Sequence, residues 1–229
     1  MLVAVVDDIP DELEALAGEL EEAGHQVLLR EMPIQSVDSL VMWLQTHEAE
    51  ALLCDQRLSV SGYATFRGAE AIRRVVRSLR LPCLLVSSYL ETELLEIRRW
   101  RADIPVVIGK EQLTPENIND GFRLCSSELR GDVPTQRVSR RTGVYIESLS
   151  TRPTGIIDVI VPGWDESRVI SLPLDLISDP SLREEVRQGY IDWLVAGVNV
   201  DAERSADLFF RDFERSPNPE GIWEKLTRS

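Results

Sequence analysis

Four apolar runs in the first half of the chain each close on a residue able to do polar chemistry, and this recurrence constrains the fold more than any other feature. The runs are VAVVDD, ending in Asp7 and Asp8; ALLCD, ending in Asp55; CLLVSS, reaching Ser87; and VVIGK, closing on Lys110. Segments with helical periodicity separate them, and alternation of this kind specifies parallel strands joined by right-handed crossovers. In an open parallel sheet the C-terminal strand ends converge on the crevice where ligands bind. The polar termini of the four runs are therefore expected in one place.

The expected strands lie near residues 2–7, 26–31, 51–55, 82–87 and 104–108, with helices over 10–23, 36–48, 67–80, 90–101 and 115–129. Gly24 stops the first helix, and Pro115 stands at the first position of the last, where its missing N–H costs nothing. The fold class is α/β, a doubly wound five-stranded parallel sheet. The turn-rich Gly131-Asp132-Val133-Pro134 ends this domain, giving residues 1–131, a linker over 132–142 and a second domain over 143–229.

In the second domain the pattern changes to strands at 143–149, 155–161 and 168–174, then a helix over 179–196 opened by Ser178-Asp179-Pro180. Leu182, Val186, Tyr190, Trp193 and Leu194 fall at helical spacing and are expected to face a core. Trp164, Phe209, Phe210 and Trp223 are expected there too. This is a small α+β domain. It lacks the all-helical pattern of helix-turn-helix modules, and it carries no phosphate-binding glycine loop, metal cluster or nucleophile elbow.

The polar termini suggest one chemistry. Carboxylates crowded together repel and need a compensating cation. A hard divalent ion that keeps several of its waters suits them, which points to Mg2+. A carboxylate can also attack phosphorus to form an aspartyl-phosphate. A lysine ammonium and a hydroxyl then take up phosphoryl oxygens, so catalysis is mostly positioning and charge neutralisation. Asp7 and Asp8 read as metal-side carboxylates, Asp55 as nucleophile, Ser87 as hydroxyl donor and Lys110 as fixed positive charge. Singly, each has a plainer reading, since acidic residues cap helices and serine pairs make turns. The ordered set, with every member at a strand end, outweighs those readings.

On these residues, positions 1 to about 130 resemble the receiver domain of two-component response regulators. That family has an acidic pair after its first strand, a phosphoacceptor Asp after the third, Ser or Thr after the fourth and Lys after the fifth. The resemblance implies a flavodoxin-like sheet, dependence on Mg2+, and phosphoryl transfer from a sensor histidine kinase or histidine phosphotransfer protein. Asp55, Lys110 and Ser87 are then the catalytic set and Asp55 the phosphorylated residue, with Asp7, Asp8, Asp55 and the Arg57 backbone carbonyl as metal ligands. Three places depart from the family: Glu111 replaces a proline after the lysine, Val107 replaces a reporting aromatic, and the segment after Asp55 is longer. Arg57 and Tyr89, two residues beyond Asp55 and Ser87, are large enough to block hydrolytic water and are expected to lengthen the phosphoryl lifetime.

Composition bounds the rest. Of 229 residues, 43% are hydrophobic, enough for a core, while no apolar run approaches membrane-spanning length. The first strand starts at Leu2, leaving no room for a signal peptide, and Cys54, Cys83 and Cys125 read as buried reduced thiols. A cytoplasmic protein without a membrane partner is expected. The formal net charge of −14 argues against nucleic acid. Arg137, Arg140 and Arg141 cluster at the junction and read as a solvated linker or a clamp on the acidic first domain. The expected function is a response regulator, not an enzyme beyond its own aspartyl phosphorylation and dephosphorylation, that acts through a protein target of its second domain. Homodimerisation stays open. The alternatives are a phosphate sink without switched output and a transcription regulator with an unusual DNA-binding domain.

Overall fold

Strands that are apolar on both faces need a cover on each side, and the first half of the chain supplies two. In the computed structural model, which describes residues 1–59, 61–150 and 154–217, the chain divides into Met1–Val133 and Pro134–Ser229. The first unit runs β1 (Leu2–Val6), α1 (Pro10–Glu22), β2 (Gln26–Leu29), α2 (Val37–Thr46), β3 (Ala51–Asp55), α3 (Gly68–Leu79), β4 (Cys83–Ser87), α4 (Leu90–Arg98), β5 (Val106–Gly109) and α5 (Pro115–Leu129). Its sheet is wholly parallel in the order β2-β1-β3-β4-β5. This is the doubly wound α/β fold expected, with the strand order of the flavodoxin-like class.

Strand periodicity sorts the core into two layers. Val3 and Val5 of β1 pack with Leu16 and Leu20 of α1 and Phe122 of α5. The alternate Ala4 and Val6 pack with Leu40 and Leu44 of α2 and Ile72 of α3. Leu20, Leu40 and Leu44 are fully buried, and each contributes roughly 2 kcal/mol. The long connection after β3 folds onto the second layer: Leu58, Tyr63 and Phe66 join its core, and the Ile34 N–H reaches the Tyr63 carbonyl at 2.8 Å. The cysteines Cys54, Cys83 and Cys125 are free and buried.

The second unit runs β6 (Arg140–Leu149), β7 (Ile156–Val161), β8 (Asp165–Pro173), α6 (Pro180–Arg187), β9 (Trp193–Val198) and β10 (Phe210–Arg215). Its sheet is antiparallel in the order β10-β9-β6-β7-β8. Val144, Ile157, Val159, Leu172, Leu194 and Val198 line one face, and Leu182 and Val186 of α6 pack on it.

The expected helix over 179–196 is corrected here. Asp179 caps α6 by accepting the Ser181 N–H at 2.8 Å, but the helix stops at Arg187 because Gly189 turns the chain with φ +70°. The Gly189 and Tyr190 N–H groups close that turn on the Val186 and Glu185 carbonyls. Leu194 does face the core, but from β9, whereas Tyr190 is 77% exposed. Trp193, Phe209 and Phe210 are buried, and Trp164 is half-buried with its indole N–H donated to the Ala202 carbonyl at 2.7 Å. The expectation for Trp223 lies outside the described residues.

The basic cluster is built into the second unit rather than left as a solvated linker. Arg140 and Arg141 belong to β6 and pair with Asp201 and Glu214, and Arg137 is buried over the Phe209 ring.

Candidate functional site

Each chemical side chain stands where a strand stops. β1 ends at Val6 and Asp7 and Asp8 follow; β3 ends on Asp55, β4 on Ser87, and Lys110 comes directly after β5. Parallel pairing puts these ends on one edge of the sheet.

Lys110 gathers the acids. Its Nζ lies 2.7 Å from Asp7 Oδ2 and 3.0 Å from Asp55 Oδ1, and it also pairs with Glu12 of α1. The second Asp55 oxygen accepts the Arg57 backbone N–H, and Asp7 Oδ1 accepts that of Ile9 at 2.9 Å. Burial raises the pKa of Asp7 and of Asp55, against the hydrogen bond or charge that Lys110 brings to each. Burial pulls Lys110 down, but its bonds to Asp7 and Glu12 and the charge of Asp55 outweigh this and raise it. The ammonium is thus fully charged at neutral pH.

A pocket of about 200 Å³ opens over this cluster, lined by Asp8, Glu12, Asp55, Arg57, Ser88, Tyr89 and Lys110. Asp8 is half-buried, and its charge adds to the upward push on Asp55. Ser87 is 1% exposed, with its Oγ accepting the Tyr89 N–H at 3.0 Å, while the neighbouring Ser88 is the exposed hydroxyl of the pocket wall. Arg57 lies over the Tyr89 ring, 4.4 Å from its centroid, so these two form one contact at the pocket rim.

Sequence reasoning missed three members. Glu12 looks like an ordinary acidic residue in the first turn of a helix, where the dipole favours it. Glu93, in the first turn of α4, has the same disguise, yet it is 7% exposed and pairs with Arg67. Gln56 is fully buried, and its Oε1 accepts the Ala69 N–H at 2.9 Å at the start of α3. Its place directly after Asp55 was the available signal.

The donors fit Mg2+ in kind: Asp7, Asp8 and Asp55 carboxylates and the Arg57 carbonyl are hard oxygen ligands. Among the described residues no group of three or more acidic, histidine or cysteine side chains is arranged to hold a metal ion by itself. Lys110 brings one positive charge to Asp7, Glu12 and Asp55, and Asp8 adds a fourth carboxylate at the pocket.

Fold and site together define a doubly wound α/β domain with an acidic, lysine-bridged site at its C-terminal strand edge. No family model and no curated protein matches the sequence. Among solved structures, the chain is similar to the signal receiver domain of a modulated diguanylate cyclase from Desulfovibrio desulfuricans G20, at 16% identity over 57% of this chain and 97% of that one, TM-score 0.46. It is also similar to a response regulator receiver domain protein from Clostridium thermocellum, at 12% identity over 56% and 96%, TM-score 0.42. A third is the signal receiver domain of an HD domain-containing protein from Pseudomonas fluorescens Pf-5, at 11% identity over 57% and 90%, TM-score 0.44. The resemblance read from the five motif residues holds at the level of fold, on the strand order itself. No helix of the described residues is long and apolar enough to cross a membrane.

Proposed function

We propose that the first unit is a phosphoryl-accepting receiver with Asp55 as acceptor, and that the chain is a response regulator whose second unit engages a protein target. The observation that carries this reading is the Lys110 ammonium set between Asp7 at 2.7 Å and Asp55 at 3.0 Å where the strands end. An Asp55 oxygen attacks the phosphorus of a phosphohistidine on a sensor kinase or phosphotransfer protein. The new O–P bond forms as the P–N bond breaks, and the imidazole nitrogen keeps that electron pair and takes a proton from water. Lys110 faces one phosphoryl oxygen, and Ser87 donates its hydroxyl proton to another while still accepting from Tyr89. Asp7, Asp8, Asp55 and the Arg57 carbonyl would hold Mg2+, which would supply charge neutralisation at the phosphoryl oxygens. The protein acts on no separate substrate, and the cytoplasm is where such a kinase presents its phosphohistidine.

The test is incubation with acetyl phosphate and Mg2+ followed by intact-mass measurement. Wild type should gain about 80 Da, one phosphoryl group, and Asp55→Asn should not. An adduct retained by the variant moves the acceptor elsewhere, and a wild type that never gains mass overturns the reading.

A phosphate sink is the second reading, favoured by Val107, a half-buried aliphatic side chain where a reporting aromatic is usual. Capture of a partner by the second unit that ignores phosphorylation would select it. A DNA-binding output is disfavoured because Arg140 and Arg141 already spend their charge on Asp201 and Glu214.

A further inference from the structure

Arg57 carries a guanidinium that its surroundings hold loosely. Its backbone N–H is fixed on Asp55 Oδ2, and its side chain lines the same pocket as Asp55 and Lys110. Its Nε stands 3.6 Å from Glu93 Oε1, beyond hydrogen-bond reach. That Nε is shut off from water and has no hydrogen-bond partner among the described residues. Glu93 is better provided for: Arg67 pairs with it, and Gln56 Nε2 lies 3.5 Å away. Glu93 can therefore lose Arg57 without being left a bare buried charge. Arg57 is the movable member of the cluster.

A phosphoryl group on Asp55 brings nearly two negative charges and three strong acceptor oxygens beside that guanidinium. An arginine meets such oxygens through two N–H donors at once, which supplies the bonds Glu93 does not. We propose that Arg57 is a phosphoryl-binding residue that leaves Glu93 for the oxygens on phosphorylated Asp55, and that its departure unstacks Tyr89. The proposal rests on Asp55 being the acceptor. Tyr89 is 53% exposed and is the residue that opens α4, with its backbone N–H on Ser87 Oγ. Two of the neighbours that hold Tyr89, the Arg57 guanidinium and the Ser87 hydroxyl, answer to the same phosphoryl group. The state of a buried carboxylate is thereby displayed on the surface at the start of α4.

The experiment uses the full chain carrying fluorotyrosine at its four tyrosines, with the Tyr89 fluorine resonance assigned by Tyr89→Phe. Acetyl phosphate and Mg2+ are added, and intact mass gives the phosphoryl stoichiometry of the same sample. In wild type the Tyr89 resonance should move in step with adduct formation. In Arg57→Gln the adduct should form and the resonance should move far less than in wild type. In unphosphorylated Glu93→Gln, which frees Arg57 in advance, the resonance should already lie toward the phosphorylated position. An unmoved Tyr89 signal in fully phosphorylated wild type, or a wild-type shift in Arg57→Gln, overturns the coupling and leaves Asp55 as acceptor. A wild type that takes no phosphoryl group overturns both.

Discussion

A Cβ on Gly68 would lie 2.1 Å from the backbone oxygen of Asp55 and 2.8 Å from its carbonyl carbon, so the first residue of α3 presses directly on the peptide of Asp55. The Gly68 N–H also bonds the Gln56 carbonyl at 3.1 Å. With the Gln56 side chain capping Ala69, this fixes the end of β3 against the start of α3. Backbone cannot yield as a flexible side chain does, so the position admits hydrogen alone.

Gly68→Ala should therefore cost about 2–3 kcal/mol in urea unfolding through overpacking, and it should slow phosphoryl acceptance by displacing Asp55. Gly18→Ala is the control, because that Cβ meets nothing within 4 Å on α1. Its helix propensity should raise stability by up to about 1 kcal/mol. Equal effects of the two variants would remove the close approach as the cause.

How much of this was legible in the sequence follows from what each residue needs to announce itself. Asp7, Asp8, Asp55, Ser87 and Lys110 stood out because each interrupts an apolar run, and a parallel sheet aligns such interruptions at one edge. Glu12 and Glu93 interrupt nothing. They sit in helical first turns, and only the fold shows that one touches Lys110 and the other is buried. In the second unit, Leu182 and Val186 fit a helical period because they lie on α6, whereas Tyr190 and Leu194 continue it by coincidence. Gly189 breaks it, and a glycine stop followed by the apolar run from Trp193 to Val198 was the signal for turn then strand.

Lys110→Met should destabilise the protein by roughly 3–5 kcal/mol without divalent ion, because it strands buried acids that now share an ammonium. The Asp7 side chain is fully buried and that of Asp55 is 5% exposed. Mg2+ should restore more stability to this variant than it adds to wild type. Equal Mg2+ increments by chemical denaturation would contradict a shared electrostatic role.

Asp55→Asn should melt higher than wild type near neutral pH without Mg2+, on the order of 2–4 °C. Burial raises the pKa of Asp55 in the folded state. Stability tied to such a carboxyl is full below its unfolded value and is lost as pH rises through the folded one. The asparagine variant has no such loss, so its advantage should grow with pH across the acidic range and then level off. A melting-temperature difference that is flat with pH would argue against this.

Mg2+ should raise the wild-type melting temperature in a concentration-dependent way by binding the folded form. Asp8→Ala removes a pocket carboxylate without touching the bonds of Lys110 to Asp7 and Asp55. It should abolish the shift. Retention of the full shift would place the ion elsewhere.

Phosphorylated Arg57→Ala should lose its phosphoryl group about tenfold faster than wild type, the equivalent of one charge-assisted hydrogen bond of roughly 1.4 kcal/mol. Tyr89→Ala should speed the loss less, since Arg57 keeps its hold on the phosphoryl oxygens once it has left that ring. Identical decay of all three proteins would take both side chains out of the hydrolytic path.

Strand β10, one of the two edge strands of its sheet, has a consequence for how the second unit behaves in company. Phe210 and Phe213 turn inward and stack at 6.2 Å, while Arg211, Asp212, Glu214 and Arg215 turn out. The pairing with β9 slips between Arg211 and Glu214, and Asp212 takes φ +52°, so the strand kinks midway. A stranger's strand laid along this border would find its register interrupted and would have to strip water from charges of both signs. The apolar sheet behind it is thereby kept for its own core and away from aggregation.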